Sequence, residues 1–238
     1  MKKFFVFCLA LAFSLGCGSV ASPRYTRPPQ QMDQINHAVV ALVRENADAE
    51  WDTYCSGAFV GDNTVLTAAH CVDSAEDDTV YISVYEPHMP QNYETSHYTF
   101  YVSRSDEDYD LALLRKLDDG QPLPYHSQFL VGLTAPVQGE NVVLMGHPLG
   151  LGWTLTSGVV SSDHRQGWDS VPYEDVGWYR PLFIQHDAQA YPGSSGGPLL
   201  NYNNELVGVL VQGHQMAEYL VMSVHTDTVN DFLTGQAL

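Results

Sequence analysis

The sequence contains few basic residues. It has 10 lysines and arginines against 28 aspartates and glutamates, which gives a formal net charge of −18. A protein that binds nucleic acid needs a basic patch that releases counterions from the phosphates, and this chain offers none. We therefore expect no nucleic-acid partner. The acidity favours solubility, and the alternative is that it steers cationic substrates toward a site.

Cysteine is also scarce, with four residues in the chain. Two of them lie in or beside an apolar N-terminal segment, which leaves Cys55 and Cys71. Two cysteines without suitably spaced histidines make a poor zinc site. Acidic stretches at residues 45–52 and 73–78 do not fit an EF-hand, although carboxylates at loop spacing remain candidate calcium ligands. The sequence therefore predicts no metal and no other cofactor.

Long apolar runs are missing after the N-terminus, and the run at residues 4–15 is too short to span a membrane. Two lysines precede this run, and residues 19–21 form a small-x-small site, so residues 1–21 are predicted to be a cleaved signal peptide. Alternatively, residues 14–17 resemble a lipoprotein signal in which Cys17 carries the lipid and attaches the protein to a membrane. Both interpretations predict a secreted or periplasmic bacterial protein.

Beyond the signal, the chain alternates short apolar runs with polar turns, which is typical of an all-β fold. Residues 22–37 are polar and contain prolines, and we predict a mobile lead-in there. The strands fall into two sets, within residues 38–120 and 121–238, and Thr226-Asp227 is predicted to cap a closing helix. The predicted strands are residues 38–43, 57–60, 64–67, 80–84, 98–102, 111–114, 142–145, 153–160, 182–186, 198–200, 206–211 and 219–224.

The most informative motif is the segment of residues 192–198, which reads PGSSGGP. Its glycines allow a tight loop around Ser195 and let the backbone approach a substrate carbonyl. Ser195 Oγ is therefore a candidate nucleophile, and the N–H groups of Gly193 and Ser195 are a candidate oxyanion hole. Taken alone, a loop of this composition is equally typical of a plain turn.

Two further motifs supply candidate partners for Ser195. His70 ends the sequence TAAH after an apolar run, and Asp110 stands at the head of the apolar residues 111–114. The chain order of His70, Asp110 and Ser195 is one of the known orders of a Ser-His-Asp triad. The spacing suits a base and its orienting acid on one barrel and a nucleophile on a second.

With these motifs, residues 35–233 resemble the trypsin/chymotrypsin superfamily of serine endopeptidases. The resemblance implies two six-stranded antiparallel β-barrels with a short C-terminal helix. It also implies that Ser195 attacks the scissile carbonyl, that His70 transfers the proton, and that Asp110 orients the imidazole. The expected partners are peptide or protein substrates, and a monomer is expected.

The second half of the chain is similar to the protease domain of HtrA-type bacterial enzymes. The matching segments are residues 146–152, 156–161, 183–188 and 205–209. The cysteine after His70 is instead a chymotrypsin-like feature, and no PDZ domain follows in this sequence. We therefore predict a compact trypsin-like endopeptidase. The alternatives are an HtrA-type quality-control protease and a non-catalytic binding protein on the same fold.

Two more expectations come with the resemblance. Cys55 and Cys71 have the spacing of the family's disulfide across the catalytic histidine loop. In digestive members, an aspartate before the nucleophile pairs with a newly freed N-terminal amine. Ser194 occupies that position here and lacks the charge, and no basic-Ile-Val site precedes Ala38, so we predict no activation by such a cleavage.

The substrate pocket is predicted from the segments that would surround the nucleophile. Gln189, six residues before Ser195, takes the place of the carboxylate found in trypsin-like specificity. An uncharged residue at the bottom of the pocket disfavours the burial of a Lys or Arg side chain, so a small or medium apolar side chain is expected at P1. Asp187 would reverse this expectation if the loop were shifted by two residues. The predicted lining residues are Gln189, Ala190, Tyr191, Pro192, Val211, Gln212, Gly213 and Tyr219, whose ring could shorten the cavity.

Three histidines and one long segment each allow both a functional and a purely structural interpretation. His147, His186 and His214 lie in segments that border the cleft in such a fold, although histidines without a catalytic role are commoner in these places. Residues 164–180 exceed the turn expected there. They form either an insertion at the cleft rim or a surface loop.

Overall fold

The structure is a computed structural model that describes residues 29–73, 75–87, 97–166, 182–214 and 217–235. The predicted signal peptide and Cys17 lie outside these residues, as does most of the segment 164–180. Among the described residues, no helix is long and apolar enough to cross a membrane.

The first half of the chain folds into a closed antiparallel barrel. Its strand order is β1-β2-β3-β6-β5-β4. Side chains alternate between two faces of each strand, so Val40 and Leu42 point into this barrel with Phe59 and Phe100. The strands are β1 (Val39–Glu45), β2 (Trp51–Gly61), β3 (Thr64–Thr67), β4 (Thr79–Val84), β5 (His97–Asp106) and β6 (Leu111–Lys116).

The second half folds into another closed antiparallel barrel with the order β10-β11-β12-β9-β8-β7. Its interior is filled by aliphatic side chains such as Leu144, Ile184 and Leu199. The strands are β7 (Asn141–Gly146), β8 (Thr154–Gln166), β9 (Leu182–His186), β10 (Pro198–Leu200), β11 (Leu206–His214) and β12 (Ala217–His225). The predicted all-β fold of two six-stranded antiparallel barrels is therefore confirmed.

A third apolar cluster joins the two barrels. Leu66 and Leu111 contribute to it from the first barrel, and Met145 and Val209 contribute from the second. Phe232 of the C-terminal helix belongs to the same cluster and is 1% exposed. Burying these side chains fixes the relative position of the barrels, because apolar area is removed from water on both sides. The loops at the barrel junction are thereby held in a fixed position relative to each other.

The N-terminal region differs from the expected lead-in. Residues Pro29–Ala38 form helix α1, whereas the sequence predicts a mobile segment through residue 37. Ile35 and Ala38 are buried in the cluster between the barrels. The helix is polar on average, so local composition hides these few anchoring positions. Tertiary packing therefore orders a segment that its sequence alone marks as unstructured.

The predicted C-terminal helix is present as α2 (Thr226–Thr234), and its predicted cap is wrong by one residue. His225 is the N-cap, and its side chain accepts a hydrogen bond from the backbone N–H of Asp227. Thr226 instead turns inward and donates its hydroxyl hydrogen to the backbone carbonyl of Val207. A serine or threonine is the usual N-cap, so only the packing of Thr226 against β11 reveals the exchange.

Candidate active site

Strand pairing brings His70 and Asp110 together at one end of the first barrel. His70 lies in a short 3₁₀ turn, Ala69–Cys71, that follows β3, and Asp110 immediately precedes β6. Strands β3 and β6 are antiparallel neighbours, with Thr67 opposite Ala112. Residues just after β3 and just before β6 therefore meet at the same edge of the barrel. This geometry explains why residues 40 positions apart in the chain form a pair.

Asp110 holds His70 through two hydrogen bonds. Its Oδ2 lies 2.7 Å from His70 Nδ1, and its Oδ1 accepts the backbone N–H of His70 at 2.9 Å. Asp110 has a φ of 52°, a left-handed conformation that aspartate tolerates better than most residues. The hydrogen bond that the His70 imidazole donates to Asp110 raises the pKa of His70 above its ordinary 6.5, and burial opposes this effect. The imidazole is thus oriented, with Nε2 left for another partner.

Ser195 lies in the loop between β9 and β10, and two glycines shape that loop. Gly193 and Gly196 have φ values of 96° and 79°. A Cβ on Gly193 would come within 2.4 Å of the His147 carbonyl oxygen, and a Cβ on Gly196 would come within 2.1 Å of Thr67 Oγ1. These contacts exclude side chains at both positions. The loop therefore packs against the turn that precedes His70.

The backbone of Ser195 is attached to the first barrel. Its carbonyl accepts the N–H of Ser56, a residue of β2, at 2.7 Å. Ser56 follows Cys55, whose sulfur is bonded to Cys71 beside His70. No hydrogen bond joins the Ser195 hydroxyl to the His70 imidazole within the described part of the chain. The structure brings the Ser195 loop and the His70 turn to one junction, but the Ser195 hydroxyl and the His70 imidazole are not hydrogen-bonded there.

Two carbonyl groups in the Ser195 loop are bonded away from the site. The Pro192 carbonyl accepts the N–H of Leu149 at 2.7 Å, and the Ser194 carbonyl accepts the N–H of Gly197 at 3.0 Å. In a trans peptide the N–H points opposite to its C=O, and none of the described peptide bonds is cis. The N–H of Gly193 therefore points away from Leu149, and the N–H of Ser195 points away from Gly197. Neither has a protein acceptor among the described residues.

Comparison with known proteins shows which family this chain belongs to. A model of the trypsin-like peptidase domain matches residues 55–209, which is more than half of the chain. The chain belongs to the trypsin-like peptidase family. The matched residues include strands of both barrels and the positions of His70, Asp110 and Ser195.

Relatives of this trypsin-like peptidase domain include HtrA-type enzymes. The chain is 32% identical over 198 residues to a probable periplasmic DegP-like serine endoprotease of Hahella chejuensis, covering 81% of this chain and 37% of the relative. It is 36% identical over 138 residues to the mitochondrial serine protease HTRA2 of Bos taurus, covering 57% and 28%. The chain thus spans a minor part of the length of these curated relatives.

A solved structure shows the same fold. The serine endoprotease from Yersinia pestis superimposes with a TM-score of 0.64 at 22% identity, covering 87% of this chain and 65% of that chain. At this identity the likeness concerns the arrangement of the two barrels.

In this trypsin-like peptidase domain, Cys55 and Cys71 are joined with a Cα–Cα distance of 6.1 Å. Both are buried, and their sulfurs lie within 4.8 Å of a ring nitrogen of His70. Among the described residues, potential metal ligands group together only here. The sulfurs of a disulfide do not bind a metal as thiolates do. The bridge instead ties β2 to the turn that carries His70.

We expect the Cys55–Cys71 disulfide to form in the exported protein and to stabilise it by about 3 kcal/mol, because it constrains the unfolded chain. Replacing both residues with alanine should lower the free energy of unfolding in urea by that amount. The wild type measured with reductant should match the double variant, and the double variant should not respond to reductant. Peptide mapping of unreduced protein that finds two free thiols would contradict the pairing.

The residues predicted to form the substrate pocket occupy different surroundings. Ala190 and Val211 are partly buried, and the other predicted members whose side chains are described are exposed. Gln189 is exposed, and its carbonyl accepts the hydroxyl of Thr156 at 2.8 Å. The strand β12 contains Tyr219, whose side chain lies outside the described part of the structure. The exposed residues are Gln189, Tyr191, Pro192, Gln212 and Gly213.

Asp187, the alternative charge for the pocket base, has a structural partner. Its Oδ1 accepts the backbone N–H of Val159 on β8 at 2.6 Å. A Cβ on the neighbouring Gly158 would come within 2.5 Å of the same oxygen. The carboxylate is therefore packed against the backbone of β8. This position favours a neutral pocket over one that binds a cationic side chain.

Two of the three histidines that the sequence places near the site, His147 and His186, are buried. His186 is fully buried, with Nε2 at 3.0 Å from Ser223 Oγ, and burial lowers its pKa to about 4. His147 is also fully buried and contacts Ser56. The side chain of His214 lies outside the described residues. Ser56 was not predicted from the sequence, because a serine within a strand carries no signal of which loop it will contact.

Proposed function

We propose that the protein is a secreted or periplasmic serine endopeptidase that hydrolyses peptide bonds through an acyl-enzyme. The observation that carries this proposal is the pair of hydrogen bonds that His70 donates to the Asp110 carboxylate, at the junction that also holds Ser195 between its two glycines. A pre-oriented base and a nucleophile on separate barrels are what acyl transfer requires. Membership in the trypsin-like peptidase family supports the same reaction class.

In the proposed reaction, Ser195 Oγ attacks the scissile carbonyl while His70 Nε2 accepts its proton. Asp110 keeps the hydrogen on Nδ1 and stabilises the imidazolium that forms. The N–H groups of Gly193 and Ser195 donate to the oxyanion of the tetrahedral intermediate. His70 then gives its proton to the leaving amine, and water hydrolyses the acyl-enzyme by the same steps in reverse order. Substrate binding would close the gap between Ser195 and His70, since such contacts often tighten only in the complex.

Labelling with an active-site-directed peptide phosphonate tests this proposal directly. The wild-type protein should gain one covalent adduct by intact mass, and peptide mapping should locate it on Ser195. Ser195→Ala should not be labelled. A folded wild-type protein that never reacts would favour the non-catalytic binding protein and overturn the proposed function.

We expect the P1 pocket to accept small or medium apolar side chains. Gln189 is neutral, and the Asp187 carboxylate is engaged with the backbone of β8. Burying a Lys or Arg side chain without a counter-charge would therefore cost free energy. A peptide-library profile measures the preference. Strong selection of Arg or Lys at P1, lost in Asp187→Asn, would show that this acid lines the pocket after all.

Removal of the signal peptide should be sufficient for activity. Ser194 is 2% exposed and its hydroxyl accepts the N–H of Tyr191 in its own loop, so no charge awaits a new N-terminal amine. N-terminal analysis of the active exported protein should find Ser22, or a lipidated Cys17 if the lipoprotein signal is used. A long-lived inactive form that gains activity only after cleavage at residues 35–40 would contradict this expectation.

A further inference from the structure

A buried serine of the first barrel contacts both residues of the proposed oxyanion hole. Ser56 on β2 is 0% exposed. Its backbone N–H donates to the Ser195 carbonyl at 2.7 Å, and its hydroxyl donates to the Gly193 carbonyl at 2.7 Å. One residue thus binds the carbonyls of the two residues whose N–H groups would face the oxyanion. The hydroxyl bond is the one that a substitution can remove.

His147 determines the direction of the Ser56 hydroxyl. Ser56 Oγ accepts the backbone N–H of His147 at 3.0 Å and lies 3.1 Å from its Nδ1. A hydroxyl has one hydrogen and two lone pairs, and the hydrogen is used on the Gly193 carbonyl. His147 Nδ1 must therefore carry a hydrogen and donate it. Both lone pairs of Ser56 Oγ are then occupied, so its hydrogen is directed at Gly193.

The protonation state of His147 suits this role. Complete burial lowers the pKa of His147 to about 3, so the ring is neutral near pH 7. A neutral ring has a single N–H, and the contact with Ser56 assigns it to Nδ1. The arrangement therefore remains unchanged across the pH range in which His70 titrates.

Gly193 needs such support because glycine has the greatest backbone freedom of any residue. The peptide plane before Gly193 is fixed by the Leu149 N–H on the Pro192 carbonyl, and the plane after it is fixed by Ser56. Without the Ser56 hydroxyl bond, ψ of Gly193 and the Gly193–Ser194 peptide plane are no longer held. This plane links the peptide that carries the Gly193 N–H to the peptide that carries the Ser195 N–H, so the relative position of the two donors is no longer fixed. An oxyanion donor contributes most when it is oriented before the reaction begins.

We propose that Ser56 and His147 are positioning residues that preorganise the oxyanion hole through the hydrogen-bond chain His147 Nδ1–H, Ser56 Oγ–H, Gly193 carbonyl. This inference rests on the proposed peptidase function. Neither side chain touches the substrate. Their effect is therefore expected on the stabilisation of the tetrahedral intermediate and not on the binding of the ground-state peptide.

The test compares Ser56→Ala with Thr226→Val in peptide hydrolysis. Ser56→Ala should lower kcat roughly 10–100-fold with KM unchanged, because the two oxyanion donors lose their fixed relative position but are still present. Affinity for a peptide boronic acid, which forms a tetrahedral adduct, should fall by the same factor. Thr226→Val also removes a buried hydroxyl that donates to a carbonyl, and it should lower the melting temperature without lowering kcat.

Two changes at His147 provide an independent arm if Ser56→Ala does not fold. His147→Asn keeps an N–H donor near the Nδ1 position and should retain a kcat close to wild type. His147→Leu removes the donor and should lose activity as Ser56→Ala does, with the acidic limb of the pH profile unchanged. Equal kcat values for the Asn and Leu variants, or full activity of Ser56→Ala, would overturn the positioning role alone. A wild type that neither hydrolyses peptides nor reacts with the phosphonate would overturn the proposed function with it.

Discussion

Replacing Ser195 with alanine is expected to lower kcat for peptide hydrolysis by about 10⁴–10⁶, and His70→Ala should do the same. Each change removes a group without which the acyl-enzyme does not form. The two losses should not add in the double variant, because the nucleophile and the base act as one unit. Steady-state and single-turnover kinetics on one peptide substrate measure all three variants.

Ser103→Ala is the matched control for the loss of a serine hydroxyl. Ser103 lies on β5, where its exposed hydroxyl donates to the Leu113 carbonyl at 3.0 Å, away from the Ser195 loop. This variant should keep wild-type kcat and KM. Normal turnover by a folded Ser195→Ala protein would refute the proposed mechanism, whatever the control shows.

Asp110→Asn is expected to lower kcat by about 10⁴, the effect of the wrong histidine tautomer in a triad of this type. An asparagine N–H₂ facing His70 Nδ1 would donate to that nitrogen, so the ring hydrogen would move to Nε2. His70 Nε2 could then no longer accept the Ser195 proton. The remaining amide oxygen can still accept the His70 backbone N–H, so the turn should keep its shape. Kinetics and a thermal melt separate these two consequences.

The same variant has an expected pH signature. The hydrogen bond to Asp110 raises the pKa of His70 above 6.5, and a base is active only when it is deprotonated. Wild-type activity should therefore rise with pH along a limb centred above 6.5. Removing the carboxylate lowers the pKa of His70, so the limb in Asp110→Asn should move to lower pH.

Asp73→Asn provides the control for the pH experiment. Asp73 is exposed and acts on His70 through charge alone, as the smallest of the contributions that raise its pKa. Its replacement should shift the limb slightly to lower pH and leave kcat unchanged at high pH. A limb in Asp110→Asn that coincides with that of Asp73→Asn would mean that Asp110 does not control the titration of His70.

The junction between the barrels concentrates conformational constraints that a free loop would not keep. Asp110 has a φ of 52°, and Gly193 and Gly196 are also left-handed. Such conformations persist where surrounding contacts determine them. The two bonds to His70 hold Asp110. The Ser195 loop is held by the close approach of Gly193 to the backbone of His147 and by that of Gly196 to Thr67 of the first barrel. These contacts fix the positions of the groups that are proposed to react.

Local patterns in the sequence were sufficient to predict two sets of strands, and the resemblance to the trypsin/chymotrypsin superfamily implied that each set closes into a barrel. Apolar alternation and turn residues located the strands, because each strand presents one face to a core every second residue. Those patterns mark the centres of strands better than their ends. Strand β2 begins at Trp51 rather than at residue 57, and β8 continues to Gln166 rather than residue 160. Pairing with a neighbouring strand extends both beyond their apolar centres.

The sequence by itself also indicated His70, Asp110 and Ser195. Each residue lies in a short recognisable motif, and their order along the chain is that of a known triad. The assignment of their catalytic roles stays a prediction. What brings the first two together is the register of β3 with β6, which no local pattern contains. The Asp187 contact with β8 likewise depends on a partner 28 residues away in the chain.

Only the tertiary structure decided the remaining features of the site. Helix α1 is ordered by packing of a few apolar side chains, and the N-cap of α2 depends on what Thr226 contacts. Ser56 meets Gly193 across 137 positions of sequence. A serine hydroxyl offers the same hydrogen-bonding groups wherever it stands, so its partner is determined by the fold that surrounds it. Local sequence thus determined which chemical groups are available, and the packing of two barrels determined which of them meet.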